Sequence, residues 1–456
     1  MKLEKKRVAV IGLGKSGFAA AKFLAEKKCF VRVTDASQKK EVLENAGYLR
    51  GLGIEVETGA HTENFLKGAE LIVTSPGVPK TSLPLIYAKK NHIRVISEIE
   101  LAGFFCPGPI IGVTGSNGKT TTSHLIHRLL SAAGKKSVLC GNVGYSFLEA
   151  IQAMDAKTIA VVELSSFQLE DSPSLRPEVA VVLNVSPNHL DRHGTMAAYT
   201  KAKEKIFSNQ GKVDTLILNH DDARVRAMAK KARSRIIFFS KKTLRSGVFV
   251  SKDQILIRHR IGKVQAPLEI SGFALEGDHN LENILAAVST VSLFGVPTSK
   301  MRGTLHSFKT LEHRIERLGE IDGVHFINDS KSTTLDSTRA ALSAFQGSMI
   351  LIAGGRDKGA PFAKIENLVA KKVRWAVLYG EAAPTIAGAW KKFKHVKRET
   401  DFKKAVRLAL ACAQPGDKIL LSPMCTSFDQ FNSYEHRGET FKELFESLKK
   451  EKSWKR

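Results

Sequence analysis

Short apolar runs alternate with stretches of helical spacing along the first hundred positions. Val8–Ile11, Val31–Thr34, Leu71–Val73 and Val95–Ile96 are brief, continuous and rich in β-branched residues, so they read as buried strands. Strands that alternate with helices in this way predict a parallel sheet. From about 98 to 309 the rhythm continues. The apolar run Pro109–Val113 enters a glycine-rich turn and then a helix through Ala133. Thr158–Glu163 and Val179–Asn184 are further strands, residues 245–275 alternate in short β-like pieces, and Gly277-Asp-His-Asn280 opens a helix. From about 310 the αβ pattern repeats at Val324–Ile327, Met349–Ala353, Val373–Tyr379 and Lys418–Leu421. The expectation is an α/β chain of three domains: 1–97, Rossmann-like; 98–309, a central ATPase domain of phosphate-loop type; and 310–456, a second Rossmann-like, doubly wound domain. A length of 456 residues suits two or three cores of ordinary size. The pattern shows neither a solenoid repeat nor a low-complexity linker.

Two turns in this pattern carry chemistry. The first strand runs into Gly12-Leu-Gly14-Lys15-Ser16-Gly17, and the second ends at Asp35 about twenty residues later, the arrangement of a dinucleotide-type fold. That motif specifies a diphosphate near a helix N-terminus but not what it is attached to, so NAD, FAD and a UDP-sugar all qualify. Ser75-Pro-Gly77-Val-Pro79 follows the next strand, either as a further loop at the same sheet edge or as a proline-braced turn.

The second turn, Val113-Thr-Gly115-Ser116-Asn117-Gly118-Lys119-Thr120-Thr121, joins a strand to a helix and reads as a triphosphate-binding loop. Backbone amides, a helix end and an ammonium there converge on phosphates. The general phosphate-loop pattern wants glycine five positions before Gly118, where this chain has Val113. Glu163, at the tip of an apolar strand, is placed either as a magnesium ligand beside such a loop or as a strand-end acid in solvent.

Composition narrows the class. No apolar run reaches the roughly 18 residues of a membrane span, and the charged opening Met1-Lys-Leu-Glu-Lys-Lys-Arg7 leaves no room for a signal peptide. Five cysteines, odd in number and never in a Cys-x-x-Cys pair, argue against a disulfide framework and a zinc site, so a cytoplasmic protein is expected. The net charge of +25 is spread along the chain. Lys391-Lys-Phe-Lys394 and the tail from Lys449 look like solvated faces, so nucleic acid is not expected as a partner.

Thr114–Thr120, Glu163-Leu-Ser165-Ser-Phe-Gln-Leu, Asn188-His189-Leu-Asp-Arg192, Asp278-His-Asn280-Leu-Glu-Asn283, His313-Arg314, Asn328-Asp329-Ser-Lys331 and Gly354-Gly355 fall in one order along the chain, and together they resemble the Mur ligases of peptidoglycan precursor synthesis. The dinucleotide-like opening, with Ser422-Pro-Met-Cys-Thr-Ser427-Phe-Asp-Gln-Phe431 and Arg437-Gly438, is similar to the D-glutamate-adding branch. The resemblance implies ATP-driven amide formation through an acyl phosphate, with UDP-N-acetylmuramoyl-L-alanine and D-glutamate as substrates. It also implies a monomeric enzyme and two magnesium sites.

The resemblance distributes roles as follows. Gly115, Ser116, Asn117, Gly118, Lys119, Thr120 and Thr121 take the ATP phosphates, with Asn280, Asn283, Arg314, Asp329 and Lys331 on the rest of the nucleotide. Thr120 and Glu163 hold one magnesium and His189 a second; by itself His189 is a loop histidine at a strand end. Lys203 matches a lysine carrying a carbamate made from CO2, with Lys201 and Lys205 as competing candidates. Gly14, Lys15, Ser16, Asp35, Ser75, Gly77, Asn142 and Ser165 face the UDP-linked substrate. Thr333, Lys358, Ser427 and Tyr434 face D-glutamate. Ser37 stands where an arginine is expected and Tyr434 where phenylalanine is common. The separated sites imply closure of the third domain onto the second. Rival readings are a sister Mur or folylpolyglutamate-type ligase, a nicotinamide-dependent dehydrogenase and a nucleotide-binding protein without catalysis.

Overall fold

The computed structural model of the chain describes residues 2–188, 190–259, 266–275, 277–308, 312–357 and 359–453. Three sheets follow one another along the sequence. The first contains β1 (Arg7–Ile11), β2 (Phe30–Asp35), β3 (Glu55–Thr58), β4 (Leu71–Thr74) and β5 (Arg94–Ser97) in the order β3-β2-β1-β4-β5, with every neighbouring pair parallel. Val10 lies opposite Val33 on one side and Val73 on the other, which buries the central strand on both faces as parallel sheets require.

The second sheet contains β6 (Ile110–Thr114), β7 (Ser137–Gly141), β8 (Ile159–Glu163), β9 (Val179–Val182), β10 (Thr215–Asn219), β11 (Arg235–Ser240), β12 (Gly247–Ser251), β13 (Gln254–Arg258) and β14 (Leu268–Glu269). Its order is β14-β13-β12-β11-β10-β9-β6-β8-β7, parallel from β7 to β12 and antiparallel beyond. The strand expected to reach Asn184 ends at Val182, because the Asn184 side chain is used by the neighbouring loop.

The third sheet contains β15 (Glu316–Ile321), β16 (Val324–Asn328), β17 (Met349–Gly354), β18 (Val373–Tyr379), β19 (Val396–Glu399) and β20 (Lys418–Met424), in the order β15-β16-β20-β17-β18-β19, with only β15 antiparallel.

In each sheet the chain reverses its winding beside one strand: between β1 and β4, between β9 and β6, and around β20. The crevice beyond the carboxyl ends of strands at such a point is where open α/β sheets bind ligands, and the glycine-rich turns lie there.

The chain divides into two compact units, Met1–Gly272 with Glu282–His306, and Phe273–Leu281 with Ser307–Arg456. Inside the first, a single apolar cluster includes Val10, Leu24 and Val33 of the first sheet's layer and Phe147, Leu148 and Val162 of the second's. The seam is also polar. Leu148 N–H donates to the buried Glu98 carboxylate at 2.8 Å, Ser97 N–H to Asp171 O at 2.7 Å, and the Lys15 ammonium to Gly144 O. In the second unit two apolar clusters cover opposite faces of the third sheet.

Candidate active site

The first sheet's glycine turn is forced by close approach. A side chain at Gly17 would stand 1.8 Å from Gly12 O, and Gly12 itself has φ +92. Gly14 caps the helix Lys15–Glu26 without a side-chain hydrogen bond, leaving the helix start open to a ligand. Asp35 braces the turn: its carboxylate accepts from Leu13 N–H at 2.6 Å and from Ser37 N–H at 2.7 Å. At Ser37, the departure noted above, this contact is made by the backbone N–H, which an arginine there would also supply. Gly14, Lys15, Ser16, Asp35, Ser75 and Gly77 all line one cavity of 460 Å³. Ser75–Pro79 is thus a second wall of that cavity.

At the carboxyl end of β6 the phosphate loop leads into the helix Lys119–Ala132. Gly118 caps it with φ +84, and a side chain there would stand 2.2 Å from Asn283 Oδ1. Thr122 Oγ1 donates to the same Asn283 oxygen at 3.3 Å. Two amides expected to face phosphate are committed elsewhere: Ser116 N–H donates to Asn184 O at 2.9 Å and Asn117 N–H to Asn184 Oδ1 at 2.8 Å. These residues frame the loop, while the helix's own first-turn amides, at Lys119, Thr120 and Thr121, precede its first internal bond, Thr122 N–H to Gly118 O.

Charged groups converge on this loop. The Lys119 ammonium donates to Gly115 O at 2.9 Å and Ser116 O at 3.0 Å, and Lys203 Nζ donates to the same Gly115 O at 2.8 Å. Lys203 is 1% exposed. Burial, and then the Lys119 charge, hold its basicity well below that of an ordinary lysine, with Glu163 acting in the opposite direction. Glu163, at the tip of β8, is equally buried. Its Oε1 accepts from Asn142 Nδ2 at 2.7 Å, whereas Oε2 has no hydrogen-bond partner. A buried carboxylate oxygen without a donor is costly unless a cation meets it. Ser165 caps the next helix, accepting from Gln168 N–H at 3.2 Å. Lys201 is exposed and Lys205 donates to Glu170 O, so of the three lysines Lys203 is the one at the loop.

In the second unit the carboxyl ends of β16, β17 and β20 share one edge. Asp329 is buried there, accepting from Ser422 Oγ at 2.8 Å and Ile315 N–H at 3.2 Å, and burial raises its pKa to about 6. Lys331 N–H donates to His313 O at 3.0 Å, and the Lys331 ammonium sits 5.4 Å from the centre of the Tyr434 ring. Thr333 follows in the same loop, its N–H bonded to Lys331 O at 2.9 Å. Ser427 is buried and accepts through its carbonyl from Gln430 and Phe431 N–H. The fully buried Arg437 ties the edge together, donating to Ser330 Oγ at 2.9 Å, Ser330 O at 2.7 Å, Tyr379 Oη at 3.1 Å and Cys425 O at 3.3 Å. Asn280 is buried near the start of the helix Asp278–Ser292, one turn before Asn283. Arg314 lies beside Asp329 and pulls the pKa of that carboxyl down. His189 and Lys358 lie outside the described residues. Asn184, Tyr199, His193 and Arg437 shape the site without having been singled out by spacing, because each acts through contacts distant in sequence.

Family models match the chain in three consecutive pieces: the Mur ligase MurD-like N-terminal domain at 6–97, the Mur ligase middle domain at 113–291, and the Mur ligase glutamate ligase domain at 313–425. Among curated relatives, the UDP-N-acetylmuramoylalanine–D-glutamate ligase of Koribacter versatilis is 42% identical over 98% of this chain and 99% of its own length. The enzyme of the same name from Caldicellulosiruptor bescii is 41% identical over 98% and 99%. Among solved structures, UDP-N-acetylmuramate-alanine ligase from Thermotoga maritima superposes with a TM-score of 0.62 at 17% identity, covering 97% of this chain and 99% of that one. The MurF ligase of Thermotoga maritima in complex with ADP gives 0.60 at 18%, covering 99% and 96%. The two structures agree in fold, the relatives agree in sequence from end to end, and the chain therefore belongs to the Mur ligase family.

Proposed function

We propose that this chain is the ATP-dependent ligase that joins D-glutamate to UDP-N-acetylmuramoyl-L-alanine in peptidoglycan precursor synthesis, forming ADP and phosphate. The observation that carries the site reading is the convergence of Lys119, Lys203 and the unpartnered Glu163 oxygen on one glycine turn. Such a turn suits a reaction in which a carboxylate attacks a triphosphate, because two anions must be brought together. The substrate carboxylate attacks the γ-phosphorus and ADP leaves; the D-glutamate amine then attacks the acyl phosphate carbonyl, loses a proton and expels phosphate.

Residues 1–97 form the domain for the UDP-linked substrate, with Gly14, Lys15, Ser16, Asp35, Ser75 and Gly77 around the diphosphate and Asn142 and Ser165 toward the acyl end. Residues 98–309 bind ATP through the phosphate loop, Asn280 and Asn283. Residues 310–456 supply Arg314, Asp329 and Lys331 to the nucleotide and Thr333, Lys358, Ser427 and Tyr434 to D-glutamate. Thr120, Glu163, His189 and Lys203 as its carbamate would hold magnesium, which supplies charge neutralisation at the phosphates. The lone Glu163 Oε2 fits that role. So does the lowered basicity of Lys203, since it is the neutral amine that adds CO2, releasing a proton. Among the described residues all five cysteines are free thiols, which suits a reducing compartment such as the cytoplasm, and no helix is long and apolar enough to cross a membrane.

The test is magnesium-dependent phosphate release with UDP-N-acetylmuramoyl-L-alanine, comparing D-glutamate with L-glutamate, L-alanine and L-lysine. Release that requires D-glutamate is expected. Release with another amino acid moves the chain to a sister branch of the family.

A further inference from the structure

Between the cavity of the first sheet and the phosphate loop runs a column of five stacked side chains. Arg192 lies 4.2 Å over the Phe167 ring, Phe167 stacks on His193 at 5.3 Å and 10°, His193 meets Tyr199 at 5.1 Å and 52°, and Lys203 Nζ lies 4.6 Å from the Tyr199 ring centre. At its outer end Arg192 donates to Pro76 O at 3.0 Å, in the wall of the 460 Å³ cavity. At its inner end Tyr199 Oη lies 3.2 Å from Ser116 Oγ. Ser116 Oγ already donates to Ser186 O at 3.0 Å, so its one proton is used and Tyr199 is the donor.

The middle of the column is held by a hydrogen bond to Ser166 and a contact with the Glu170 carboxylate. His193 Nε2 lies 2.9 Å from Ser166 Oγ, and Nδ1 lies 3.4 Å from Glu170 Oε1. A neutral imidazole has one proton; placed on Nδ1 toward the carboxylate, it leaves Nε2 to accept from Ser166, which fixes the ring plane. Ser166 and Glu170 sit in the helix that follows Glu163, so the ring is oriented by the segment that carries the proposed magnesium ligand.

We propose that His193 is a positioning residue for the ligation, acting through Tyr199 to seat Ser116 of the phosphate loop and the Lys203 side chain. This rests on the reading above, in which that loop and Lys203 serve the ATP reaction. D-glutamate is assigned to the third sheet, so its KM is not expected to follow.

The experiment is a double-mutant cycle in the full-length enzyme. His193→Phe keeps a ring in the stack but removes the Ser166 hydrogen bond and the Glu170 contact; Tyr199→Phe removes only the hydroxyl. Ser166→Ala deletes the same bond from the other side, should the histidine variants fold poorly. Expected results are a kcat reduced about 10-fold or more in His193→Phe, a KM for D-glutamate within twofold of wild type, and a double variant no slower than the slower single. Multiplying rate losses in the double variant, or an unchanged kcat in folded His193→Phe and Ser166→Ala proteins, would overturn the proposal. A wild-type enzyme inactive with D-glutamate would instead overturn the function on which it rests.

Discussion

Glu98 opens the helix Glu98–Phe105 at the seam of the first two sheets and is 2% exposed. Its carboxylate accepts from Leu148 N–H at 2.8 Å, yet burial outweighs that bond and raises its pKa from 4.5 to about 7. The sign follows from proton counting. Below 4.5 the group is protonated in both folded and unfolded chains and costs nothing. Between 4.5 and about 7 the folded chain binds more protons, so stability falls as pH rises. Above about 7 the full penalty applies. With about 1.36 kcal/mol for each pH unit between those two values, the ionised carboxylate costs the fold about 3 kcal/mol. Glu98→Gln keeps the carbonyl that accepts from Leu148 and cannot ionise. The variant should match wild type near pH 5 and exceed its stability at pH 8 by up to about 3 kcal/mol, with unchanged ligation. Among the described residues the tryptophans, Trp375 and Trp390, lie in the second unit, so their fluorescence does not report this seam. Hydrogen exchange of the amides in Phe147–Gln152 does, and intrinsic exchange rates cancel when variant and wild type are compared at one pH. A protection difference equal at pH 5 and pH 8 would refute the reasoning.

Glu163→Gln places an amide where a lone carboxylate oxygen is buried; ligation should fall about 100-fold or more while thermal stability is kept or raised, and an active variant with normal magnesium dependence would remove Glu163 from the site. Asp35→Ala takes the acceptor from two backbone N–H groups of the first sheet's turn, so isothermal titration should show the UDP-linked substrate binding about 10-fold more weakly or worse, with ATP unaffected. Arg437→Met strips four acceptors of a buried donor and should destabilise the second unit by about 3 kcal/mol in urea, read by tryptophan fluorescence; an unchanged midpoint would mean the loops hold themselves together.

The sequence showed clearly the elements whose burial is written in continuous apolar runs. β1, β6, β8 and β17 were recognisable within a residue or two, and the two glycine turns were recognisable because close backbone approach admits little else. Several edge strands were not, although β5 was. Glu55–Thr58, Glu316–Ile321 and Val396–Glu399 border their sheets and carry mostly polar or charged side chains, so neither alternation nor an apolar run marks them. Thr215–Asn219 and Arg235–Ser240 are apolar enough to be strands but lack a flanking motif that would have drawn attention to them. In the site, its place at a strand tip marked Glu163, the family resemblance alone pointed to Lys203 and named Arg437 only as part of a motif, and nothing pointed to the bond from Asn117 N–H to Asn184 Oδ1 across 67 positions or to the bonds by which Arg437 reaches back 107 positions to Ser330. No local pattern encodes partnerships of that range.

The single apolar cluster that unites the first two sheets also limits how the protein can be recombined. A chimaera cut at residue 97, exchanging the first sheet for that of a sister ligase, would set Phe147, Leu148 and Ile151 and the helix opened by Glu98 against a foreign surface, and would replace Ser97, whose N–H bonds to Asp171 O across the seam. The cavity beside the first glycine turn is therefore not a cartridge. Changing it by domain exchange requires carrying the helix Phe147–Gln152 and the segment that holds Glu98 along with the donor sheet, and a grafted pocket without them is expected to yield insoluble protein rather than altered specificity.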